Sequence, residues 1–399
     1  MAETLIAYDE ALGLMRAGLP SPSEAFRLPL ERAVGLALAE PVLAREPYPR
    51  FDNSSVDGYV VAGTAPASAR LEVARSISAG DDPGPTLRDG EAARIFTGAP
   101  VPPGAWGVVM QEDCEARPRA VVVKGTVDRG QNIRRSAEEV RPGDEVLGSG
   151  YVVGAGPLAV LASQGIAEVA CWRAPNVAIL VVGDELAAPG QEPAPYQIRE
   201  TNGLMLAEQC RAAGAGRVER RLLADQRQVL AVALAEFVRA SDLVLIAGGA
   251  SVGDKDFSRS LLAEMGELVF AGVSIKPGGP VLHGRVAGTP VFGLPGNPGS
   301  AFVCFELFVR EAIRRLAGWA HPEPIWLDVP CEEARTPRGR DEFVRARFVE
   351  SDGRASTCPV GIQGSFALGS LTQAECLVRL QAGVARGPGD PAPTLMLER

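Results

Sequence analysis

Short apolar runs alternate with helix-forming segments between residues 176 and 318, and this alternation is the strongest constraint on the fold. The run "NVAILVV" carries only apolar side chains after its asparagine, as expected of a strand buried on both faces of a sheet. "DLVLIAGG" and "TPVFGLPG" are further runs of this kind. Strands and helices in this order predict a doubly wound parallel sheet.

Helix-start signals follow these runs. Asn202 and Asp225 each precede a helix-forming segment, where a short polar side chain commonly caps the first turn. Asn297 and Pro298 are expected as the cap and first residue of a further helix that extends to about Gly318. These signals place helices after each predicted strand.

The remaining sequence predicts a multidomain α/β plus β protein. At roughly 100–200 residues per domain, a chain of this length holds two to four domains. Residues 5–45 have a helical pattern, whereas 60–150 and the tail are rich in short β-like runs and turns. We therefore predict a helical/linker domain (1–46 and 145–174), a small mostly-β domain (47–144), the doubly wound domain (175–320) and a C-terminal β-barrel-like domain (325–399).

Composition argues against several classes of partner. The net charge of −9 makes a broad surface for nucleic acid or anionic membrane unexpected. No apolar run approaches the roughly 18 residues of a membrane span, and the first residues lack the pattern of a signal peptide. The seven cysteines are scattered without a C-x-x-C pair, which fits a reducing compartment. We expect a cytoplasmic protein without nucleic-acid or membrane partners.

Glycine-rich loops follow the predicted strands, in "VGDEL", "AGGASVGDKDF" and "LPGNPGS". Ligands of an open parallel sheet bind beyond the carboxyl ends of its strands. Glycines let the backbone approach a ligand closely, and free backbone N–H groups bind phosphate or another oxyanion. The residues predicted to bind in this way are Gly248, Gly249, Ser251 and Gly253 in one loop and Gly296 and Asn297 in the next.

Carboxylates lie among these glycines. Glu185, Asp254 and Asp256 would repel a phosphate unless a divalent cation lies between them. Mg²⁺ prefers such hard oxygen ligands and typically takes one or two carboxylates together with substrate phosphates. A single G-G or D-x-D is more often a turn with a solvated face, so the prediction of a phosphorylated ligand with Mg²⁺ depends on the three loops meeting. Neither a Rossmann fingerprint nor a P-loop is present.

The motifs "PYPRFDNSSVDGY", "RIFTGAPVPPGA", "GQNIRR", "GGASVGDKDF", "IKPGGP", "GLPGNPGS", "GRDEFVRA" and "GSFALGSL" occur in an order that resembles the molybdopterin molybdenumtransferase family. This family is related to the C-terminal domain of gephyrin, and the resemblance extends over nearly the whole chain. It implies four subdomains and a homodimer with its active site between two subunits. It also implies insertion of molybdate into adenylylated molybdopterin with Mg²⁺ and release of AMP. Docking of a separate molybdopterin adenylyltransferase stays open.

The resemblance also implies site residues by motif position. Asp57 and Thr97 would come from the partner subunit, and Lys276 would contact molybdate or phosphate. The other implied residues are the acids Glu185, Asp225 and Asp256 around metal and substrate, Pro295 and Pro298 in the nucleotide-side loop, and Arg340 and Ser365 at the border of the cleft. The sequence does not decide which carboxylate holds the metal.

Simpler interpretations of several of these residues stay open. Asp57 could order its own turn, Thr97 could cap a helix or turn, and Asp225 could be a helix cap only. Arg340 and Arg345 could be solvated strand residues. Lys276 stands out because the chain has only three lysines.

Several positions depart from the usual family pattern. Gly279 stands where a second lysine is common, and Val182 and Ala247 stand where hydroxyl residues are frequent. Ala137 and Glu139 replace a usual glycine and aspartate. Loss of one charged hydrogen bond costs about 1.5–3 kcal/mol, which an arginine from elsewhere could offset. The alternatives are therefore a paralogue that prefers tungstate and a non-catalytic binding or scaffold protein.

Overall fold

The computed structural model describes residues 5–248, 257–334, 336–351 and 353–398. The chain divides into two compact units. The first comprises Met1–Glu40, Ser149–Gly154 and Glu168–Arg399, and the second comprises Pro41–Gly148 and Ala155–Ala167. The division into four domains stays a prediction.

The helices are distributed over both units, and α3 belongs to the second. In chain order they are α1 (Tyr8–Gly18), α2 (Leu30–Ala33), α3 (Ala155–Ser163), α4 (Asn202–Ala212), α5 (Arg227–Ala240), α6 (Phe257–Met265), α7 (Pro298–Cys304) and α8 (Arg310–Leu316). A π-helical segment, Phe305–Val309, joins α7 to α8, and 3-10 turns lie at Gln111–Asp113 and Gly369–Thr372. No helix among the described residues is both long and apolar enough to cross a bilayer.

Strands account for most of the remaining regular structure. The first is β1 (Ala25–Pro29). Those of the second unit are β2 (Val42–Leu43), β3 (Asn53–Ser54), β4 (Gly58–Ala62), β5 (Arg70–Ile77), β6 (Glu91–Ile95), β7 (Ala105–Met110), β8 (Cys114–Arg117), β9 (Ala120–Val123), β10 (Ile133–Arg134) and β11 (Glu145–Leu147). The first unit continues with β12 (Glu168–Trp172), β13 (Val177–Val182), β14 (Leu186–Ala187), β15 (Ile198–Arg199), β16 (Val218–Leu223), β17 (Leu243–Ala247), β18 (Glu267–Ala271), β19 (Ile275–Lys276), β20 (Leu282–Val286), β21 (Thr289–Leu294), β22 (Trp326–Pro330), β23 (Asp341–Ser351), β24 (Arg354–Pro359), β25 (Cys376–Leu380) and β26 (Pro391–Met396).

The central sheet of the first unit is mixed, with strand order β16-β13-β17-β21-β20-β18. The pairings from β16 to β21 are parallel, as predicted, but β20 and β18 are antiparallel to their neighbours. The prediction of a wholly parallel sheet is therefore wrong for the last two strands. The reason is local: Ala287 and Gly288, both left-handed with φ of 50° and 86°, join β20 directly to β21. A two-residue connection permits a hairpin, whereas a parallel pair needs a long crossover.

Strand β13 supplies side chains to the cores on both faces of this sheet. Its alternate residues divide between two clusters, with Val177, Ile179 and Val181 in one and Ala178, Leu180 and Val182 in the other. All six are buried. Successive side chains of a strand point to opposite faces, so an uninterrupted apolar run is what a doubly covered strand needs.

The helical pattern expected over residues 5–45 is wrong for its middle part. Helix α1 ends at Gly18, and β1 pairs antiparallel with β12 instead of continuing a helix. Pro20 and Pro22 follow α1. Proline lacks an amide hydrogen and disfavours helical geometry in the residue before it, which accounts for the end of the helix here.

The second unit is mostly β, and its larger sheet has the strand order β7-β4-β6-β5-β9-β8. Only β5 and β6 in this sheet pair in parallel; the other pairings are antiparallel. Val61 and Val109 pack on one face, whereas Val60 and Val108 pack on the other. The short apolar runs of this region thus form a sheet with a core on each face.

The C-terminal strands form a sheet of order β19-β23-β25-β26-β22, with β24 paired to β23. Thr357 of β24 connects back to the end of β22: its hydroxyl donates to the Pro330 carbonyl at 3.2 Å, and its own carbonyl accepts from the Glu332 amide at 3.0 Å. This contact brings the two ends of the strand order together, as in a barrel. Strand β19 carries Lys276 and pairs with β23, which joins the C-terminal sheet to the predicted site.

His283, on β20, is a fully buried histidine in an aromatic setting. Its ring stacks on Phe292 with centroids 4.3 Å apart, and Nδ1 lies 3.1 Å from the Val291 carbonyl oxygen. Nε2 is buried and has no hydrogen-bond partner among the described residues. Burial lowers the pKa of His283 to about 4, with a smaller contribution from Arg285 that the Val291 hydrogen bond and Glu267 oppose.

This burial predicts acid sensitivity. Between the ordinary pKa of about 6.5 and about 4, the unfolded chain binds a proton that the folded protein does not. The free energy of unfolding should therefore fall by about 2 kcal/mol between pH 7.5 and 5 on account of this residue. Urea unfolding of His283→Phe should lack that part of the pH dependence, and His321→Gln should retain it. Identical pH dependence in the wild type and His283→Phe would contradict the assignment.

Candidate functional site

A cavity of about 1010 Å³ lies in the first unit at the carboxyl ends of β13, β17 and β21. Val182, Gly248 and Pro295, at or just beyond the ends of these strands, contribute to its wall. The three strands are neighbours in parallel register, so their ends meet at one edge of the sheet. This edge is where the glycine-rich loops predict a ligand.

Most of the predicted residues of the first unit line this cavity. They are Glu185, Asp225, Gly248, Lys276, Pro295, Gly296, Asn297, Pro298, Arg340 and Ser365. Gly249, Ser251, Gly253, Asp254 and Asp256 lie outside the described residues. The structure thus places ten of the predicted residues around one space, and their roles stay predictions.

Gly248, just beyond the end of β17, lies close against the end of β13. Its φ is 88°, and a side-chain carbon there would lie 2.4 Å from the Val182 carbonyl oxygen. Neither the backbone angle nor the space admits another residue without movement of β13. The glycine predicted from the loop pattern is therefore required by the packing of two adjacent strands.

Asn202 does not cap its helix, contrary to the prediction. It is the first residue of α4, after Thr201. Its side-chain nitrogen Nδ2 donates a hydrogen bond to the Gly296 carbonyl at 2.7 Å. Its Oδ1 is buried without a hydrogen-bond partner among the described residues. The side chain instead ties α4 to the Pro295–Pro298 loop. Asparagine before a helix is so commonly a cap that the local sequence gave no sign of this long-range bond.

Asp225 does not cap α5 either. Gln226 occupies the cap position, and the Asp225 amide donates to Asp184 Oδ1 at 3.0 Å. The side chain lines the cavity, and its Oδ1 is buried with no hydrogen-bond partner in the described part of the chain. An unsatisfied carboxylate oxygen is costly in this position, and a cation or donor group of a ligand would satisfy it.

Lys276 and Arg340 are cationic residues of the cavity wall. Lys276 Nζ lies 3.1 Å from Glu342 Oε1, with the lysine side chain 68% exposed and the glutamate 15%. A side-chain carbon on Gly279 would lie 3.1 Å from Arg340 Nη1. Arg340 therefore lies against the position where the family commonly has a second lysine, which agrees with an arginine taking its place.

Asp57 and Thr97 lie in the second unit and contact each other. Asp57 Oδ1 accepts hydrogen bonds from the Thr97 amide and hydroxyl, both at 2.8 Å. These two bonds lower the pKa of Asp57 below its usual value. The carboxylate therefore links its own segment to the segment at Thr97, which is 40 residues away along the chain, and it is ionised at neutral pH.

A second cavity, of about 610 Å³, lies wholly within the second unit. Its wall includes Glu139, together with Tyr48 and Phe51 from the motif "PYPRFDNSSVDGY" and Arg134 from the motif "GQNIRR". Sequence reasoning quoted these motifs but did not select Arg134 as a site residue. The sequence signal for Arg134 was its place in the motif "GQNIRR", because an arginine in a basic dipeptide is not distinctive by itself.

Ala137 adopts a left-handed backbone, with φ of 59°. The family commonly has glycine here, and glycine takes this conformation without steric cost. Alanine pays roughly 1 kcal/mol in the same conformation. The replacement of glycine by Ala137 thus introduces a small local backbone strain.

The described residues contain no group of three or more His, Cys, Asp or Glu side chains placed to hold a metal ion. Two of the three predicted metal ligands, Asp254 and Asp256, lie outside this part of the chain. The third, Glu185, lines the cavity.

Comparison with known families gives matches along almost the whole chain. Residues 6–165 match the MoeA N-terminal region (domain I and II), residues 178–315 match a probable molybdopterin binding domain, and residues 332–397 match the MoeA C-terminal region (domain IV). The middle match includes the strands whose ends form the first cavity.

Individual relatives give the same result. A molybdopterin molybdenumtransferase of Haemophilus influenzae is 32% identical over 400 residues, which cover 99% of this chain and 98% of that protein. Molybdopterin molybdenumtransferase 2 of Mycobacterium tuberculosis is 38% identical over 332 residues, or 80% and 82% of the two chains. The crystal structure of the molybdopterin biosynthesis moeA protein from Pyrococcus horikoshii OT3 superposes with a TM-score of 0.85 at 27% identity, covering 99% of this chain and 100% of that one. The chain belongs to the molybdopterin molybdenumtransferase family.

The Asn202–Gly296 contact yields a test. Asn202→Asp replaces the donor nitrogen by a carboxylate oxygen that faces the Gly296 carbonyl. The variant should lose about 1–3 kcal/mol of unfolding free energy in urea titration. Asn202→Ala removes the bond without the repulsion and should lose less. Unchanged stability of Asn202→Asp would contradict the role assigned to the amide.

Proposed function

We propose that this protein inserts molybdate into adenylylated molybdopterin, cleaving the phosphoanhydride and releasing AMP. Its family membership makes it a transferase of molybdenum-cofactor biosynthesis. The observation that carries the finer proposal is the meeting of Glu185, Asp225, Lys276 and the Pro295–Pro298 loop in one cavity. Acids, a cation and exposed backbone amides are the groups that a phosphorylated ligand with a divalent cation needs.

Mg²⁺ is the cation we propose. Glu185 would hold it together with Asp254 and Asp256, and the unsatisfied Asp225 Oδ1 adds a hard oxygen at the same cavity. Carboxylate oxygens suit this ion. When bound, Mg²⁺ neutralises charge on the phosphoanhydride oxygens.

The protein's own residues act mainly by binding and orientation. Phosphoryl-group cleavage depends on charge neutralisation and positioning more than on covalent chemistry. Lys276 attracts the oxyanion, and its pairing with Glu342 fixes the ammonium at the cavity wall. The backbone of Pro295–Pro298 approaches the ligand, held from behind by Asn202. A water oxygen attacks one phosphorus of the phosphoanhydride and the bridging phosphorus–oxygen bond breaks. AMP leaves with one phosphate, molybdopterin keeps the other, and the protons of the water pass to solvent.

The proposed enzyme is a homodimer in which Asp57 and Thr97 of the partner subunit complete the site. Exposed apolar side chains at the border of the cavity support the proposal that a partner subunit covers it. Ile198, Phe366 and Leu368 are 60%, 66% and 46% exposed. Exposed apolar clusters commonly mark an interaction surface. A molybdopterin adenylyltransferase that supplies the nucleotide substrate is a further proposed partner.

Release of AMP tests the proposal. Purified protein is mixed with adenylylated molybdopterin, Mg²⁺ and either molybdate or tungstate, with the oxyanion omitted as the control. We expect AMP release that needs both Mg²⁺ and molybdate. Faster release with tungstate would indicate a paralogue with another oxyanion preference. Tight nucleotide binding without release would contradict the enzyme and favour a binding or scaffold role.

Asp57 gives a sharper prediction, because its charge and its turn-ordering bonds can be separated. Asp57→Asn keeps an oxygen that accepts both bonds from Thr97 but removes the charge. We expect turnover to fall about 100-fold, with KM changed less than about threefold. Asp57→Ala should lose turnover to a similar extent, and Asp113→Ala, at an exposed acid of the same unit, should not. Full activity of Asp57→Asn beside an unstable Asp57→Ala would show that the residue only orders its turn.

A further inference from the structure

Arg94, the first residue of the motif "RIFTGAPVPPGA", lies on β6 directly opposite Tyr59 of β4. The central carbon of its guanidinium lies 5.0 Å from the ring centroid of Tyr59 and 5.0 Å from that of Phe96. The face of an aromatic ring attracts a cation. Two rings at this distance therefore restrict the guanidinium to one place on the sheet of the second unit.

The hydrogen bonds of Arg94 end on the two segments next to Asp57. Nη1 donates to the carbonyl of Gly58, the residue after Asp57, at 3.3 Å, and Nη2 donates to Gln111 Oε1 at 2.6 Å. The Gln111 amide in turn donates to the Asp57 carbonyl at 3.1 Å. The guanidinium thus ties β6 to the start of β4 and to the end of β7, and both ties lead to the backbone that carries Asp57.

The chain has little freedom where it leaves Asp57. Gly58 is buried, and a side-chain carbon there would lie 1.8 Å from the Val109 carbonyl oxygen. The start of β4 is therefore fixed by β7 on one side and by Arg94 on the other. The Asp57 side chain itself is exposed, and Thr97 holds it by the two bonds to Oδ1.

Arg94 also acts on Asp57 through its charge. The two Thr97 hydrogen bonds lower the pKa of Asp57 most, and the positive charge of Arg94 lowers it further, against a small effect of desolvation. An acid lies next in the same network, since Glu112 Oε1 accepts from Gln111 Nε2 at 3.1 Å. The geometry and the charge of Arg94 therefore both favour an ionised Asp57 in one orientation.

We propose that Arg94 is a positioning residue that holds Asp57 in its productive orientation, through the Gly58 carbonyl and through Gln111. The inference rests on the proposed function, in which Asp57 of one subunit completes the site of the other. Displacement of a reacting group by about 1 Å can cost about 100-fold in rate, so a residue that only orients Asp57 still affects turnover. Arg94 acts on the reaction through Asp57 and not by contact with the ligand.

The test compares two variants in the assay of AMP release. Arg94→Met keeps a side chain of similar length between the two rings but removes the charge and the donors, whereas Arg94→Lys keeps the charge. Arg117→Gln removes an exposed charge from the same sheet and serves as the control. We expect Arg94→Met to lower kcat about tenfold with KM within about threefold, Arg94→Lys to recover most of the loss, and Arg117→Gln to match the wild type.

The pKa of Asp57 separates positioning from folding. Carbon-13 NMR of the aspartate carboxyls, assigned with Asp57→Asn, should show a higher pKa of Asp57 in Arg94→Met and a restored one in Arg94→Lys, because loss of a nearby cation disfavours the ionised carboxylate. The acid side of the kcat profile should then move to higher pH. Wild-type kcat in folded Arg94→Met would overturn the proposal. Loss of activity only in proportion to unfolded protein, with the pKa unchanged, would also overturn it.

If Arg94→Met does not fold, Gln111→Met decides, because it removes one acceptor of Arg94 at an exposed position and keeps the backbone bond to Asp57. We expect its kcat to fall about threefold, and unchanged kcat would refute the proposal. If the wild type releases no AMP, the proposed function fails. The NMR titration still tests Arg94 in that case, and an unchanged pKa of Asp57 in the Arg94 variants would show that Arg94 does not control this carboxylate.

Discussion

The parallel pairing of β13, β17 and β21 is the constraint on which the candidate site depends. Each strand is buried, and the shared register forces their carboxyl ends to one edge of the sheet. The loops that leave this edge have little freedom, since Gly248 fits against the Val182 carbonyl only because it has no side chain. The cavity therefore lies where the packing of the sheet brings the strand ends together.

Electrostatics then determines what such a cavity accepts. Its wall carries three acids, Glu185, Glu200 and Asp225, and three cations, Arg199, Lys276 and Arg340. Lys276 shares its charge with Glu342, and Arg340 lies against Gly279. Arg345, on β23, is fully buried beside Gly299, so the interpretation of a solvated strand residue is wrong for it. Lys276, Arg340 and Arg345 occupy different depths, from a solvated ammonium to a fully enclosed guanidinium.

Local patterns predicted the parts of the fold that depend on neighbouring residues. The uninterrupted run from Val177 predicted a doubly covered strand, and the glycine loops predicted the edge at which the cavity lies. The prediction failed where distant residues compete with the local signal. Asn202 bonds to Gly296 rather than to its own helix, and Asp225 faces the cavity while Gln226 begins α5. The antiparallel edge was also missed, because a two-residue turn outweighs the strand–helix alternation.

The departures from the family pattern have separate physical consequences. Ala137 keeps the left-handed backbone that glycine would take without cost, so the chain absorbs a small strain and retains the turn. At Gly279 the missing side chain leaves room that Arg340 approaches. Val182 and Ala247 are buried at the strand ends, where losing a hydroxyl removes a polar group but keeps the packing. None of these changes disrupts the sheet edge at which the cavity lies.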